Sequence, residues 1–275
     1  MFTDVVPTAS SPSPLTRRGL LARRALRRFL YSQMAMRSAV MIALGKEAPL
    51  VRFTVEDDPP SVYLVFRIAP SEVSRLAPDL ALPADLRLTP VRCLAGDEPE
   101  HLLTLNVYRV SGITNGMRAE WSVYVDDGRG RPRYLVVDAR SSGRSMDPVD
   151  VITPASRVEH RVEGDVVSLA VGPPDEAFEA SFSIPHEAAK AVSAPEWITA
   201  NDEIYWANGI SDRTFYDGGL ADASQVSVDP AAVKVDDRTR WASYVEPVPH
   251  RVLVFREAIE FVVSPWSNVE DLARR

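Results

Sequence analysis

The chain has 275 residues, of which 45% are hydrophobic, and a formal net charge of −7. That length allows one large domain or two modest ones. Its single cysteine, Cys93, excludes an intrachain disulfide and suits a reducing, cytoplasmic compartment. An acidic body is not typical of nucleic-acid-binding proteins, so we expect no nucleic-acid partner.

The N-terminal region differs from the rest in composition. Residues 1–14 are rich in Ser, Pro and Thr, which predicts a disordered lead-in. Residues 15–46 predict a basic amphipathic helix, because apolar residues recur near helical spacing between seven arginines. This helix either packs on the body or a partner, or lies on an anionic membrane surface through residues 15–44. The second alternative would place the protein peripherally at the inner membrane.

From residue 50 onward, short runs of β-branched and aromatic residues alternate with turn residues, which predicts strands. A short helix is expected over 70–76, and turn residues 126–130 predict a hairpin between their flanking strands. This spacing favours an antiparallel sandwich or barrel. We expect a single domain over 50–265 and a C-terminal tail over 266–275. The predicted strands are 61–68, 86–93, 101–110, 119–125, 133–139, 158–161, 166–171, 177–184 and a long strand over 251–263.

Two segments resemble the acetoacetate decarboxylase superfamily. Residues 62–94 are similar to its opening strand, short helix, Leu/Pro-rich turn and strand, and residues 145–171 are similar to the stretch around and after its catalytic loop. The resemblance covers about residues 50–265. It implies a mainly β (α+β) fold, an antiparallel β-barrel, here with an N-terminal helix.

The same resemblance implies that the family's chemistry is altered. Its members use a lysine that forms a Schiff base with a β-keto acid. Pro148 matches the catalytic loop, but Val149 and Asp150 occupy the positions of its lysines. The family's N-terminal active-site arginine would fall at 57–60, where the sequence has none. We therefore expect a diverged member without the Schiff-base lysine.

Glu120 is the counterpart of the family's glutamate. In a strand over 118–125, Arg118, Glu120, Ser122 and Tyr124 share one face. Periodicity favours a strand whose other face is in the core and whose Glu120 faces water. The resemblance instead implies that the Glu120 face lines the interior of the barrel as a polar pocket. Both interpretations stay open from the sequence.

Residues 138–150 combine arginines and serines around a glycine, just after a predicted strand. Arg140, Ser142 and Arg144 would suit a carboxylate or phosphate ligand, because guanidinium groups bind such anions bidentately. The alternative is a solvated loop. The aromatic stretch 197–219 likewise either lines a ligand cavity or pins a loop to the body.

No metal or cofactor is expected. The four histidines have no second ligand at metal-binding spacing, and the sequence has no dinucleotide or P-loop motif. Cys93 lies in a predicted strand, which favours a buried structural thiol.

The sequence therefore predicts a small-molecule-binding barrel that acts on a carbonyl- or carboxylate-bearing organic compound, by lyase- or isomerase-like proton chemistry. The alternative is a non-catalytic ligand-binding or carrier protein, docked to a membrane or partner by its N-terminal helix; a homo-oligomer is a further expectation. The predicted catalytic residues are Glu120 and Tyr124, and the predicted substrate-binding residues are Arg118, Arg140, Ser142 and Arg144.

Overall fold

The structure is a computed structural model. The structure describes residues 51–80, 82, 86–93, 96–112, 115–126, 128, 132–143, 152–154, 156–187, 190–191, 203–206, 213–218 and 223–264. Outside these residues lie the predicted lead-in at 1–14, the predicted helix at 15–46, the predicted tail at 266–275 and Arg144.

The described chain is mainly β, as predicted, and it contains one α-helix. Helix α1 spans Pro70–Asp79, beginning at a proline that suits the first helical position, and it buries Leu76. Short 3₁₀ turns occur at Pro174–Glu176, Pro230–Ala232 and Arg240–Ser243. Within the described ranges, no helix is long and apolar enough to cross a membrane. The strands are β1 (Val51–Val55), β2 (Ser61–Arg67), β3 (Arg87–Leu88), β4 (Leu102–Gly112), β5 (Gly116–Asp126), β6 (Arg133–Ser141), β7 (Ile152–Thr153), β8 (Val158–Glu163), β9 (Val166–Val171), β10 (Phe178–Ser183), β11 (Lys190–Ala191), β12 (Glu203–Trp206), β13 (Arg213–Gly218), β14 (Ser224–Val228), β15 (Lys234–Asp237), β16 (Arg251–Phe255) and β17 (Ile259–Ser264).

The strands form two sheets. The large sheet has thirteen strands in the order β11-β14-β16-β2-β4-β1-β17-β13-β12-β6-β5-β3, with β7 paired to β6. The small sheet has the order β15-β10-β9-β8. Because the large sheet ends at β11 and at β3, the predicted closure of the whole domain into one barrel is not confirmed.

Strand β4 organises the large sheet. Its first half pairs with β2, its end pairs with β1, and β5 pairs along it from Leu103 to Val110. From β5 the pairing continues through β6, β12, β13 and β17 to β1, and so returns to β4. Strands β2, β16, β14 and β11 extend the sheet beyond this circuit.

Both faces of the central strands are buried, whereas antiparallel sheets commonly leave one face in water. On one face, odd-numbered residues of β4 and β5 such as Leu105 and Trp121 pack against the small sheet in a single apolar core. The Phe66 and Phe178 rings meet edge to face there, with centroids 6.1 Å apart. The other face packs into a second cluster that includes Tyr63.

Two strand predictions were wrong in their extent. The strand expected over 86–93 contains regular pairing only at Arg87–Leu88, since Pro90 has no N–H to donate. The long strand expected over 251–263 is interrupted after Phe255, so that β16 pairs with β2 while β17 pairs with β1. The hairpin predicted around 126–130 is confirmed by the antiparallel pairing of β5 and β6.

Candidate ligand-binding site

A set of polar side chains lies on the buried second face of the large sheet. We call this set the polar face. Each of its members is less than a tenth exposed. They come from four adjacent strands and are Tyr63, Thr104, Asn106, Arg118, Glu120, Ser122, Tyr124 and Tyr134.

The strand register explains why these residues meet. Polar and apolar residues alternate along β4 and β5, and successive side chains of a strand point to opposite faces. The antiparallel register sets Asn106 opposite Glu120 and Thr104 opposite Ser122. Tyr63 of β2 lies opposite Asn106 across the other edge of β4, and so on the same face of the sheet. The polar residues of three strands therefore form continuous rows across the sheet.

An ion pair lies in the middle of the polar face. Arg118 Nη1 is 3.4 Å from Glu120 Oε1, and the two side chains are only 6% and 9% exposed. Removing two charges from water is costly, and their attraction seldom repays that cost in full. A buried pair of this kind is therefore more typical of a functional site than of a stabilising element. The prediction that Glu120 faces water is wrong, since the residue is buried.

Three buried tyrosines share the polar face with the Glu120 carboxylate. Tyr124 OH and Thr104 Oγ1 are 3.1 Å apart, and Asn106 Nδ2 donates to Tyr134 OH at 2.6 Å. Burial raises the pKa of Tyr63 and of Tyr134, and the nearby Glu120 charge raises both further. Burial also raises the pKa of Tyr124. The three phenols therefore remain protonated near neutral pH and serve as hydrogen-bond donors rather than bases.

This arrangement suits proton transfer. A carboxylate is the natural base, buried phenol hydroxyls can donate to a developing oxyanion, and a guanidinium adds a fixed positive charge. Lys190 and Lys234 lie elsewhere, both exposed, on β11 and on the small sheet. Among the described residues, no three His, Cys, Asp or Glu side chains are grouped so that they could hold a metal ion.

The predicted site residues fall into two groups. Arg118, Glu120 and Tyr124 share the polar face. Arg140 does not: it lies opposite Ala119 in the register, so its side chain is on the other face, with its guanidinium carbon 5.6 Å from the centroid of the Trp121 ring. The register therefore separates Arg140 from the face of Glu120, because neighbouring residues of a strand point to opposite sides, and a role of Arg140 in substrate binding stays a prediction.

Ser142 has a local structural contact. Its Oγ accepts a hydrogen bond from the Met117 backbone N–H at 2.9 Å, and the residue is exposed at the end of β6. The aromatic stretch 197–219 is described only as the backbones of β12 and β13. Cys93 is buried, as predicted, and burial raises the pKa of its thiol to about 12.

The sequence interpretation missed Tyr63, Thr104, Asn106 and Tyr134. A signal was present, because Thr104 and Asn106 alternate with leucines just as Ser122 and Glu120 alternate with apolar residues. Two neighbouring antiparallel strands with this alternation must place their polar residues on a common face. Tyr134 carried no such signal, since it stands in an apolar run.

Comparison with known proteins gives one structural similarity. No family model matches the sequence, and no curated protein matches it. Among solved structures, the chain is similar to an acetoacetate decarboxylase-like enzyme from Sphingomonas wittichii RW1, with a TM-score of 0.48 and 8% identical residues, over 78% of this chain and 90% of that one. At so low an identity and score, the function has to follow from the polar face itself.

Proposed function

We propose that the polar face binds a small organic compound with a carbonyl or carboxylate group, and that Glu120 moves a proton to and from it. The observation that carries this proposal is the buried Arg118–Glu120 pair, held at 3.4 Å among protonated tyrosines. We further propose that the pairing circuit through β4, β5, β6, β12, β13, β17 and β1 is the wall of a small barrel, and that β2, β16 and β14 continue the polar face beyond it. Small barrels commonly hold one such ligand.

The proposed step is the abstraction of a proton α to a carbonyl. The proton passes to the Glu120 carboxylate, and the electrons of the C–H bond form the C=C bond of an enolate. A tyrosine hydroxyl, Tyr124 or Tyr134, donates a hydrogen bond to the enolate oxygen, and Arg118 balances its charge. Return of the proton to carbon completes an isomerase-like cycle, whereas loss of a leaving group from the neighbouring carbon would make the enzyme a lyase.

Deuterium exchange tests this step without knowledge of the natural substrate. The protein is incubated in D₂O with 2-hydroxyacetophenone or with levulinate, and the loss of the α-proton signals is followed by NMR. We expect exchange above the rate without protein, and a loss of at least about a hundredfold in Glu120→Gln, as is typical when a general base is removed. Glu159→Gln is the matched control, since Glu159 is also a glutamate bound to arginines but lies on the small sheet.

Two outcomes decide between the functions. Equal exchange in the wild type and Glu120→Gln would refute the catalytic role. Binding of a probe without any exchange would support the non-catalytic carrier. Because Glu120→Gln leaves a buried arginine without its carboxylate, the neutral double variant Arg118→Gln/Glu120→Gln is measured beside it as a folded reference.

A further inference from the structure

Several buried side-chain oxygens on this side of the sheet have no hydrogen-bond partner. Among them are Asn106 Oδ1, Ser61 Oγ and Gln225 Oε1, whose residues are 3%, 1% and 7% exposed. Buried polar atoms nearly always have a partner, so several such atoms in one region need an explanation.

The three atoms belong to one side of one sheet. Ser61 is two residues before Tyr63 on β2, so both point to the same face. Phe255 lies opposite Ser61, and Gln225 lies opposite Phe255, which places Gln225 on that face two strands away. At the usual strand spacing this separation is about 10 Å. One small ligand can therefore reach more than one of these groups.

The unused groups are mainly acceptors. The Asn106 amide already binds Tyr134 through its nitrogen, which leaves a carbonyl oxygen, and Gln225 likewise offers a carbonyl oxygen. A ligand that satisfies them must bring donors, such as hydroxyl groups. A carboxylate has only acceptors at neutral pH, so it cannot satisfy these two carbonyl oxygens and would be repelled by them.

The charges of the polar face also favour a ligand without a carboxylate. Its positive charge, Arg118, is already matched by Glu120 at 3.4 Å. A ligand carboxylate would add an unbalanced negative charge in a buried region, which is strongly unfavourable. Leu253, Phe255 and the Tyr63 ring add apolar surface beside the unused groups.

We infer that the site selects an uncharged compound with a hydroxyl group beside a carbonyl group, and that Ser61, Asn106 and Gln225 determine this specificity. The inference rests on the proposed function and narrows it, because it selects the carbonyl over the carboxylate class. It does not depend on turnover, so binding alone tests it.

Three probes separate the ligand classes. 2-Hydroxyacetophenone has the hydroxyl and the carbonyl, acetophenone lacks the hydroxyl, and mandelate carries a carboxylate instead of the ketone. We measure their dissociation constants by ligand-observed NMR. We expect 2-hydroxyacetophenone to bind about tenfold more tightly than acetophenone, because a hydrogen bond to a buried acceptor is gained, and mandelate to bind most weakly.

Two variants test the residues themselves. Ser61→Ala and Gln225→Met each remove an oxygen that has no protein partner, so the ligand-free melting temperature should stay the same or rise. Their affinity for 2-hydroxyacetophenone should fall about five- to tenfold. Ser227→Ala is the control, since Ser227 is exposed on the same strand and the same side as Gln225, and its affinity should not change.

The inference is overturned by any of three results. Tightest binding of mandelate would reject the uncharged class while leaving the proposed function intact. A lower ligand-free melting temperature in both variants would show that the oxygens serve the fold instead. Failure of all three probes to bind would reject the inference and the proposed site together.

Discussion

Acidification should weaken this fold through His160, a half-buried histidine of β8. Neither ring nitrogen has a hydrogen-bond partner, and burial lowers the pKa of the imidazole from 6.5 to about 4. The unfolded chain therefore binds a proton at a higher pH than the folded protein does. The stability that depends on neutral His160 is present above pH 6.5 and is lost as the pH falls from there toward 4.

The size of the effect follows from the two pKa values. Between about pH 7 and about pH 5, protonation of His160 in the unfolded chain lowers the free energy of unfolding by about 2 kcal/mol. The full pKa shift corresponds to about 3 kcal/mol. Urea unfolding of the wild type and of His160→Leu at both pH values measures it. On acidification from about pH 7 to about pH 5, we expect the free energy of unfolding of His160→Leu to fall by about 2 kcal/mol less than that of the wild type.

The comparison is internally controlled. Burial lowers the pKa of His101 and of His250 and raises the pKa of Asp237, and these groups titrate alike in both proteins. His186→Leu, which removes an exposed histidine, should follow the wild type. Stability curves of wild type and His160→Leu that run parallel from neutral to acidic pH would refute the reasoning.

Three further predictions concern other described residues. Arg118→Met should destabilise the protein by about 3–5 kcal/mol because the buried Glu120 carboxylate loses its arginine, whereas Arg118→Met/Glu120→Leu should cost less, and urea titrations of both variants check this ordering. Cys93 should react with a thiol reagent only at the rate of unfolding, since it is buried and burial raises its pKa to about 12; rapid labelling of the native protein would contradict this. Gly143→Ala should distort the end of the β5–β6 hairpin, because a Cβ there would overlap the backbone carbonyl of Asn115, and an unchanged melting temperature would disprove it.

Much of the strand pattern was predictable because it depends on local signals. Short runs of β-branched and aromatic residues predicted β5 and β6, and a turn rich in Asp and Gly predicted their pairing. The break between β16 and β17 was not predictable in this way. Nothing in the run from Arg251 to Val263 shows that its two halves pair with different partners, since pairing depends on strands distant in sequence.

The burial of Glu120 shows the same limit. Periodicity correctly separated its face from the apolar face of Trp121, but it treated a polar face as a solvated one. The polar face is covered by residues from other parts of the chain, among them Ile259 and Phe261 of β17, in the second cluster. Sequence pattern assigns residues to faces, and only the tertiary arrangement decides which faces meet water.

The pairing of β1 with β17 also has a consequence for the order in which the protein is made. Strand β17 is the last described strand to leave the ribosome, and its partner β1 is the first. Closing so long a loop is entropically costly and slow compared with forming local hairpins. During synthesis, β4 and β5 can pair early, while the buried charges of Arg118 and Glu120 stay hydrated until the final strand arrives. We expect pulsed hydrogen exchange during refolding to protect β4 and β5 before β1 and β17, so that the polar face loses its water only after β17 has paired.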